Sequence, residues 1–141
     1  MKRTATAVWT GGIKDGKGVL STQSGILKDT QYGFSSRFEN GAGTNPEELI
    51  AAAHAGCFAM ALSGQLGEAG MTAQSLTVNA AVTIEKAGAG FSITAVHLEL
   101  AARIPGASQQ AFEQAAKAAK EGCPVSKVLN AAITLEARLE A

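Results

Sequence analysis

The feature that most constrains the fold is an 18-residue stretch, Leu49 to Leu66, that contains no Asp, Glu, Lys or Arg. A helix-start signal precedes it, since Asn45 suits the N-cap and Pro46 the first helical position. Such a stretch is long enough to cross a membrane, and it equally fits a helix buried in a protein core. Its six alanines, two glycines and His54 favour the core helix. We therefore expect no membrane span and a long buried helix that ends between residues 67 and 70.

Alternating apolar and polar residues predict strands on both sides of this helix. The predicted strands cover residues 3–10, 18–22, 31–38, 76–85, 91–100 and 133–139. A bulge is expected near Ala95 in the fifth of them. A second amphipathic helix around Phe112 is followed by Cys123-Pro124, which fits the start of a short third helix. This order of elements predicts a single α+β domain over residues 1–141, with a mostly antiparallel sheet around the central helix.

Charge and targeting signals exclude several classes of function. Twelve Lys and Arg balance twelve Asp and Glu, and no basic cluster is present. Nucleic acid and anionic membrane surfaces are therefore not expected partners. Residues 1–10 lack the apolar segment and cleavage site of a secretory signal, which predicts a cytoplasmic location. In that reducing compartment, cysteines are more often catalytic or metal-binding than structural.

The chain has two cysteines, and their positions differ in kind. Cys57 lies in the middle of the long helix, where a cysteine is commonly a small buried apolar residue. Cys123 lies at a predicted helix N-terminus, where N–H groups stabilise a thiolate, although it could also be a weak cap. As the only thiols, they predict a redox pair. A zinc site made with His54 is an alternative, without the close cysteine spacing typical of zinc, and His97 is expected to be structural.

A reactive cysteine in mid-helix needs a nearby cation, because no helix terminus stabilises its thiolate. Arg37 is the best candidate, in the segment Ser-Ser-Arg-Phe-Glu shortly before the helix. Glu47 or Glu48, in the first helical turn, could hold its guanidinium through a bidentate ion pair. The alternatives are a solvated charge for Arg37 and an acidic first turn that complements the helix dipole.

Two segments that carry the cysteines resemble a known family. The chain resembles the OsmC/Ohr family of thiol-dependent peroxidases in Gly43-Thr-Asn-Pro-Glu-Glu-Leu-Ile-Ala-Ala-Ala-His-Ala-Gly-Cys-Phe and, further on, in Gly122-Cys-Pro-Val-Ser-Lys-Val-Leu. The stretch around Arg37 is similar to the OsmC (osmotically inducible protein C) branch, and the similarity extends over nearly the whole chain. The resemblance implies an OsmC-like fold that forms an intertwined homodimer and reduces organic hydroperoxides without haem, flavin or metal.

The resemblance also implies roles for four residues. Cys57 corresponds to the peroxidatic cysteine and Cys123 to the resolving cysteine that closes a disulfide with it. Arg37 corresponds to the arginine that activates the peroxidatic thiol, and Glu47 to the glutamate that orients this arginine. An external dithiol, of the lipoyl type, is the implied reductant. The alkyl group of the peroxide is expected to bind apolar residues near these motifs: Phe34, Phe38, Phe58 and Met60.

Helix geometry separates Glu47 from Cys57 of the same chain, because ten residues of straight α-helix rise about 15 Å. We therefore expect the Arg37–Glu47 pair to serve Cys57 of the partner subunit, so that a homodimer shares its active sites. Two alternatives stay open. Cys123 could attack the peroxide first, or the protein could be a non-catalytic redox-sensing or metal- or ligand-binding dimer.

Overall fold

The computed structural model describes all residues from 1 to 141 and contains six strands and four helices. In chain order they are β1 (Ala5–Thr10), β2 (Lys17–Thr22), β3 (Thr30–Tyr32), α1 (Phe34–Phe38), α2 (Pro46–Glu68), β4 (Ser75–Ala87), β5 (Gly90–Arg103), α3 (Gln109–Gly122), α4 (Pro124–Val128) and β6 (Ala132–Glu140). The predicted α+β class is confirmed. Contacts divide the chain into two compact units, Met1–Leu49 and Ile50–Ala141, and the single domain stays a prediction.

The first unit contains an antiparallel three-stranded sheet in the order β1-β2-β3. The predicted third strand over residues 31–38 is wrong beyond Tyr32, because the chain turns into the short helix α1. The Ser36 hydroxyl causes this turn: it accepts from the Gly33 N–H (2.9 Å) and donates to the Thr44 carbonyl (2.7 Å). A side chain at this helical position that bonds back to the preceding backbone closes the first turn, as in a capping box. Arg37 therefore lies on a helical turn rather than at a strand end.

Helix α2 begins and ends where the sequence predicts. The Asn45 side chain accepts from the Glu48 N–H at 2.7 Å, which satisfies one unpaired donor of the first turn. Along the helix only one face is buried, and its residues recur every fourth position: His54, Phe58, Leu62 and Leu66. The opposite face is exposed and built of small or apolar residues: Ala52, Ala53, Gly56, Met60 and Gly64. By length and a hydropathy of 1.4, α2 could also cross a membrane, a test that core helices of soluble proteins pass as well.

The second unit contains a sheet in the order β4-β5-β6, in which β4 pairs antiparallel and β6 parallel to β5. The predicted bulge near Ala95 is confirmed, because the register shifts between Thr83 and Ile84, whose partners are Ala95 and Ile93. The α3–α4 segment is the crossover that a parallel strand pair requires. The core of this unit contains residues from α2, β5 and α3: Phe58, Leu62, Leu66, Val96, Leu98, Leu100, Phe112, Ala116 and Ala119.

The junction between α3 and α4 is a single residue, Cys123. It is the C-cap of α3, with its N–H donating to the Ala119 carbonyl, and the N-cap of α4, which begins at Pro124. Its side chain is completely buried. The predicted helix start at Cys123-Pro124 is therefore confirmed, and the junction turns the chain at the point where its sulfur faces α2.

Candidate active site

The two cysteines lie in contact in the second unit. The Sγ atoms of Cys57 and Cys123 are 2.7 Å apart, and both residues are free thiols. They come from the middle of α2 and from the α3–α4 junction. Cys57 is half-buried, whereas Cys123 has no exposed surface. A disulfide has an S–S length of about 2.05 Å, so this pair needs little movement to form one.

The surroundings of the two thiols shift their pKa values in opposite directions. Burial raises the pKa of Cys57, and the contact with Cys123 raises it further. Burial also acts to raise the pKa of Cys123, but interactions with Cys57, with Ser126 and with the Val125 N–H together outweigh it and lower this pKa. Within this unit the thiolate is therefore favoured on Cys123.

His54 and Ser126 adjoin the buried cysteine. His54 has no exposed surface, and its Nε2 lies 2.7 Å from the Ser126 hydroxyl oxygen. Its other nitrogen, Nδ1, is buried without a hydrogen-bond partner. Burial lowers the pKa of His54, which favours the neutral ring. The sequence indicated a packed histidine here but did not single out Ser126, because the contact of Ser126 with His54 forms only in the folded chain.

The predicted ion pair of Arg37 forms with Glu47. The Nε and Nη2 atoms of Arg37 each lie 2.9 Å from Oε1 of Glu47, and Nε lies 3.3 Å from Oε2. The Glu47 side chain is 9% exposed and that of Arg37 36% exposed. Glu48 instead accepts from the Thr44 hydroxyl at 2.7 Å. The carboxylate holds one edge of the guanidinium, so the Nη1 end is directed away from it.

An aromatic pocket of about 280 Å³ adjoins Arg37 in the first unit. Its apolar lining consists of Trp9, Ile13, Tyr32, Phe34 and Phe38. The guanidinium carbon of Arg37 lies 5.1 Å from the centre of the Phe38 ring, within cation–π range. Two of the four predicted pocket residues, Phe34 and Phe38, line it. Phe58 and Met60 do not line this pocket: Phe58 is completely buried in the core of the second unit, and Met60 is 79% exposed on α2.

Metal-type ligands occur together elsewhere in the second unit. His97, Glu99 and Glu136 bring their ligand atoms within 4.8 Å of one another on the sheet surface. The His97 ring is hydrogen-bonded to the Thr134 hydroxyl at 2.6 Å and lies 3.8 Å from each carboxylate. The contacts with Thr134 and Glu136 cross from β5 to β6, whereas Glu99 lies on the same strand as His97, and exposed acidic groups are common without a metal. The zinc alternative would use His54, Cys57 and Cys123, which are not in this group, and the Nε2 of His54 lies 2.7 Å from the Ser126 hydroxyl oxygen.

Two adjacent free thiols, one half-buried and one buried, define a two-cysteine redox protein with an α+β fold. A family model described as OsmC-like protein matches residues 39–138 of this chain. Over 134 residues the chain is 52% identical to Peroxiredoxin OsmC of Escherichia coli, covering 95% of this chain and 94% of that protein. Peroxiredoxin OsmC of Shigella flexneri matches equally well. The chain belongs to the OsmC-like family.

Solved structures agree with this assignment. The organic hydroperoxide resistance protein OhrB of Bacillus subtilis superposes with a TM-score of 0.69 at 25% identity, covering 97% of this chain and 98% of that chain. An OsmC-like protein of unknown function from Vibrio cholerae superposes with a TM-score of 0.77 at 18% identity, covering 97% and 99%. This second similarity shows the fold alone. The expected OsmC-like fold is therefore confirmed.

Proposed function

We propose that this protein is a thiol-dependent peroxidase that reduces organic hydroperoxides to alcohols, with Cys57 as the peroxidatic and Cys123 as the resolving cysteine. The observation that carries the proposal is the contact of two free thiols at 2.7 Å in a chain of the OsmC-like family. Relatives named as a peroxiredoxin and as an organic hydroperoxide resistance protein support the same reaction.

The proposed cycle has three steps. In the first, the Cys57 thiolate attacks the terminal oxygen of ROOH, the O–O bond breaks, and the alkoxide takes up a proton to leave as ROH. The sulfur is now a sulfenic acid. In the second, the Cys123 thiolate attacks this sulfur, the S–O bond breaks, and hydroxide leaves as water after protonation. In the third, an external dithiol reduces the disulfide through a mixed disulfide and is itself oxidised.

Access to solvent supports Cys57 as the thiol that attacks the peroxide. Cys123 has the lowered pKa, but it has no exposed surface through which a peroxide could reach it. Cys57 is half-buried, so it is the thiol that can meet a substrate. Its raised pKa means that it needs a cation to become a thiolate. A low pKa is useful to Cys123 in the second step, where it is the nucleophile.

Arg37 is the proposed cation, supplied by the partner subunit of a homodimer. The rise of about 15 Å over the ten helical residues from Glu47 to Cys57 argues against action within one chain. The exposed face of α2 around Gly56 and Met60 is uncharged and rich in small residues, which lets a second copy approach closely. An apolar face of this kind is more typical of an interface than of a solvated surface. We assign the protein to the cytoplasm, where two free thiols stay reduced.

The substrate is proposed to bind with its alkyl group in the aromatic pocket beside Arg37. This pocket offers Trp9, Phe34 and Phe38 to an apolar group and the guanidinium to a peroxide oxygen. Hydrogen peroxide has no alkyl group to pack against the apolar residues of this pocket, so alkyl and aryl hydroperoxides are the preferred substrates. A dithiol of the lipoyl type is the proposed reductant.

A single-turnover experiment tests the cycle. The reduced protein is mixed with one equivalent of tert-butyl hydroperoxide and analysed by intact and peptide mass spectrometry. We expect one peroxide to be consumed, two hydrogens to be lost, and one peptide to link Cys57 with Cys123. Protein whose thiols do not react would refute the peroxidase. A disulfide that dihydrolipoamide fails to reduce would favour the redox sensor.

Single substitutions distinguish the two orders of attack. The variant Cys123→Ser should still consume one equivalent of peroxide and retain a sulfenic acid, since Cys57 is intact. The variant Cys57→Ser should consume none. If Cys57→Ser reacts and Cys123→Ser does not, Cys123 is the peroxidatic cysteine and the proposed roles are inverted.

A further inference from the structure

Two polar residues, His54 and Ser126, adjoin the pair of cysteines. The His54 Nε2 and the Ser126 hydroxyl oxygen are 2.7 Å apart. Ser126 is the third residue of α4, a position whose side chain faces the N-cap residue Cys123, and it lowers the pKa of that thiol. Cys123 then contacts Cys57 at 2.7 Å. The proposed catalytic cycle uses the two sulfurs but gives no task to His54 or Ser126.

The burial of His54 calls for an explanation. A neutral imidazole has one N–H donor and one acceptor nitrogen, and buried polar atoms are normally paired. The Nδ1 of His54 is buried and has no partner. The residues that continue its face of α2, Phe58 and Leu62, are apolar, so an apolar side chain would suit the packing at this position better. The one hydrogen bond of His54 is to Ser126, which lies in the short helix that begins after Cys123.

We propose that His54 is a positioning residue of the resolving step, which acts through Ser126 to take up the proton of the Cys123 thiol. This inference rests on the proposed peroxidase cycle. As Cys123 ionises, its proton moves to the Ser126 oxygen and the hydroxyl proton of Ser126 moves to His54 Nε2. The Cys123 sulfur attacks the Cys57 sulfenic acid, the S–O bond breaks, and the hydroxide takes a proton from solvent. His54 then releases its own proton, so that one thiol hydrogen and one hydroxyl leave as water.

The environment of His54 allows its ring to accept a proton and to release it again. Burial lowers its pKa, so the ring begins neutral with Nε2 able to accept. No charged side chain contributes to this shift. The titratable groups that face the set of contacts are the thiols of Cys57 on α2 and Cys123 at the α3–α4 junction. Glu121 on α3 and Lys127 on α4 are the ionisable residues nearest to Cys123 and Ser126 in sequence, and both are exposed.

The test separates the two chemical steps in one single-turnover experiment with tert-butyl hydroperoxide. Rapid mixing and acid quench give the rate of peroxide consumption and, by mass, the conversion of sulfenic acid to disulfide. General acid–base assistance typically contributes about 100-fold or more, so Ser126→Ala should slow disulfide formation by at least about 10-fold relative to peroxide consumption. The sulfenic acid should accumulate. Ser126→Thr, which keeps the hydroxyl, should restore the step, and Ser92→Ala at an exposed position of β5 is the matched control.

A pH profile separates proton uptake from a merely structural role. His54→Gln keeps a nitrogen that can bond to Ser126 but cannot hold a proton. In this variant disulfide formation should accelerate steadily with pH, because the Cys123 proton must leave to solvent, whereas the wild-type rate should be flat above neutral pH. Equal profiles, or a disulfide rate in Ser126→Ala within about twofold of wild type, would overturn the proposal. If His54→Gln does not fold, the Ser126→Ala and Ser126→Thr pair decides alone. Wild-type protein that consumes no peroxide would instead refute the peroxidase itself.

Discussion

The substitution Glu47→Gln tests whether the arginine must be held in place for the reaction with peroxide. The change keeps the size of the side chain and removes its charge. In the protein, Glu47 holds the Nε and Nη2 edge of Arg37 with two contacts of 2.9 Å and is itself almost completely buried. Hydrogen bonds to charged groups contribute about 1.5–3 kcal/mol each. If the loss of one such bond is felt in the transition state, the peroxide step slows by about 10- to 150-fold, since each 1.36 kcal/mol is tenfold.

The assay is stopped-flow consumption of cumene hydroperoxide under single-turnover conditions, which isolates the first step. The matched control is Glu48→Gln, which removes the same charge from the same helical turn but breaks a bond to Thr44 rather than to Arg37. Both variants lose the same favourable interaction with the helix dipole. A Glu47→Gln rate within about threefold of the Glu48→Gln rate would show that the ion pair does not orient the reacting arginine.

Three further predictions concern assembly, pH and the core. Co-expressed Arg37→Ala and Cys57→Ser chains should regain peroxidase activity that neither variant has alone, because the mixed dimer contains one complete shared site. If a purified heterodimer shows no recovery, each active site lies within one chain. Burial lowers the pKa of His54 from its usual 6.5, so below pH 6.5 the unfolded chain binds more protons than the folded chain. The midpoint of urea unfolding should therefore fall as the pH is lowered below 6.5, and His54→Gln should abolish this contribution. Phe112→Ala should lower the free energy of unfolding by about 3–5 kcal/mol in urea titrations, because this completely buried ring fills the core; a loss below about 1 kcal/mol would contradict the packing.

Local signals in the sequence were enough to place most elements. The start of α2 was predictable because Asn45 caps and Pro46 begins a helix through interactions within one turn. The α1 turn was not predictable in this way. It depends on the Ser36 hydroxyl, which donates to the Thr44 carbonyl eight residues further on, and no local periodicity records such a contact.

The four predicted pocket residues show that proximity in sequence does not place two side chains on the same side of a helix. Phe58 and Met60 both lie near Cys57, yet a helix turns about 100° per residue, so side chains two positions apart point in very different directions. Phe58 continues the buried face of His54, four residues before it, whereas Met60 is exposed. The spacing from His54 could have separated the two residues, provided that the buried face of α2 had been known.

Ser126 marks the part of the site that sequence reasoning missed. Its neighbour Cys123 was identified because a cysteine at a helix start carries a chemical signal of its own. A serine in a short helix carries none until the fold brings α4 to the buried face of α2, where His54 lies 2.7 Å away. The information that distinguishes it from other serines is tertiary.

The different exposure and pKa shifts of the two thiols make the proposed activity depend on the dimer. In the proposed cycle, the resolving step needs a nucleophile of lowered pKa beside the peroxidatic sulfur, and one chain provides both features through Cys123 and its neighbours. The peroxide step needs an accessible thiolate, and in one chain the accessible thiol, Cys57, has a raised pKa. A dissociated subunit should therefore react slowly with peroxide and still close the disulfide quickly once oxidised. In the proposed dimer, the guanidinium of Arg37 removes the slow step, so that dissociation should reduce the rate of peroxide consumption while leaving the rate of disulfide closure unchanged.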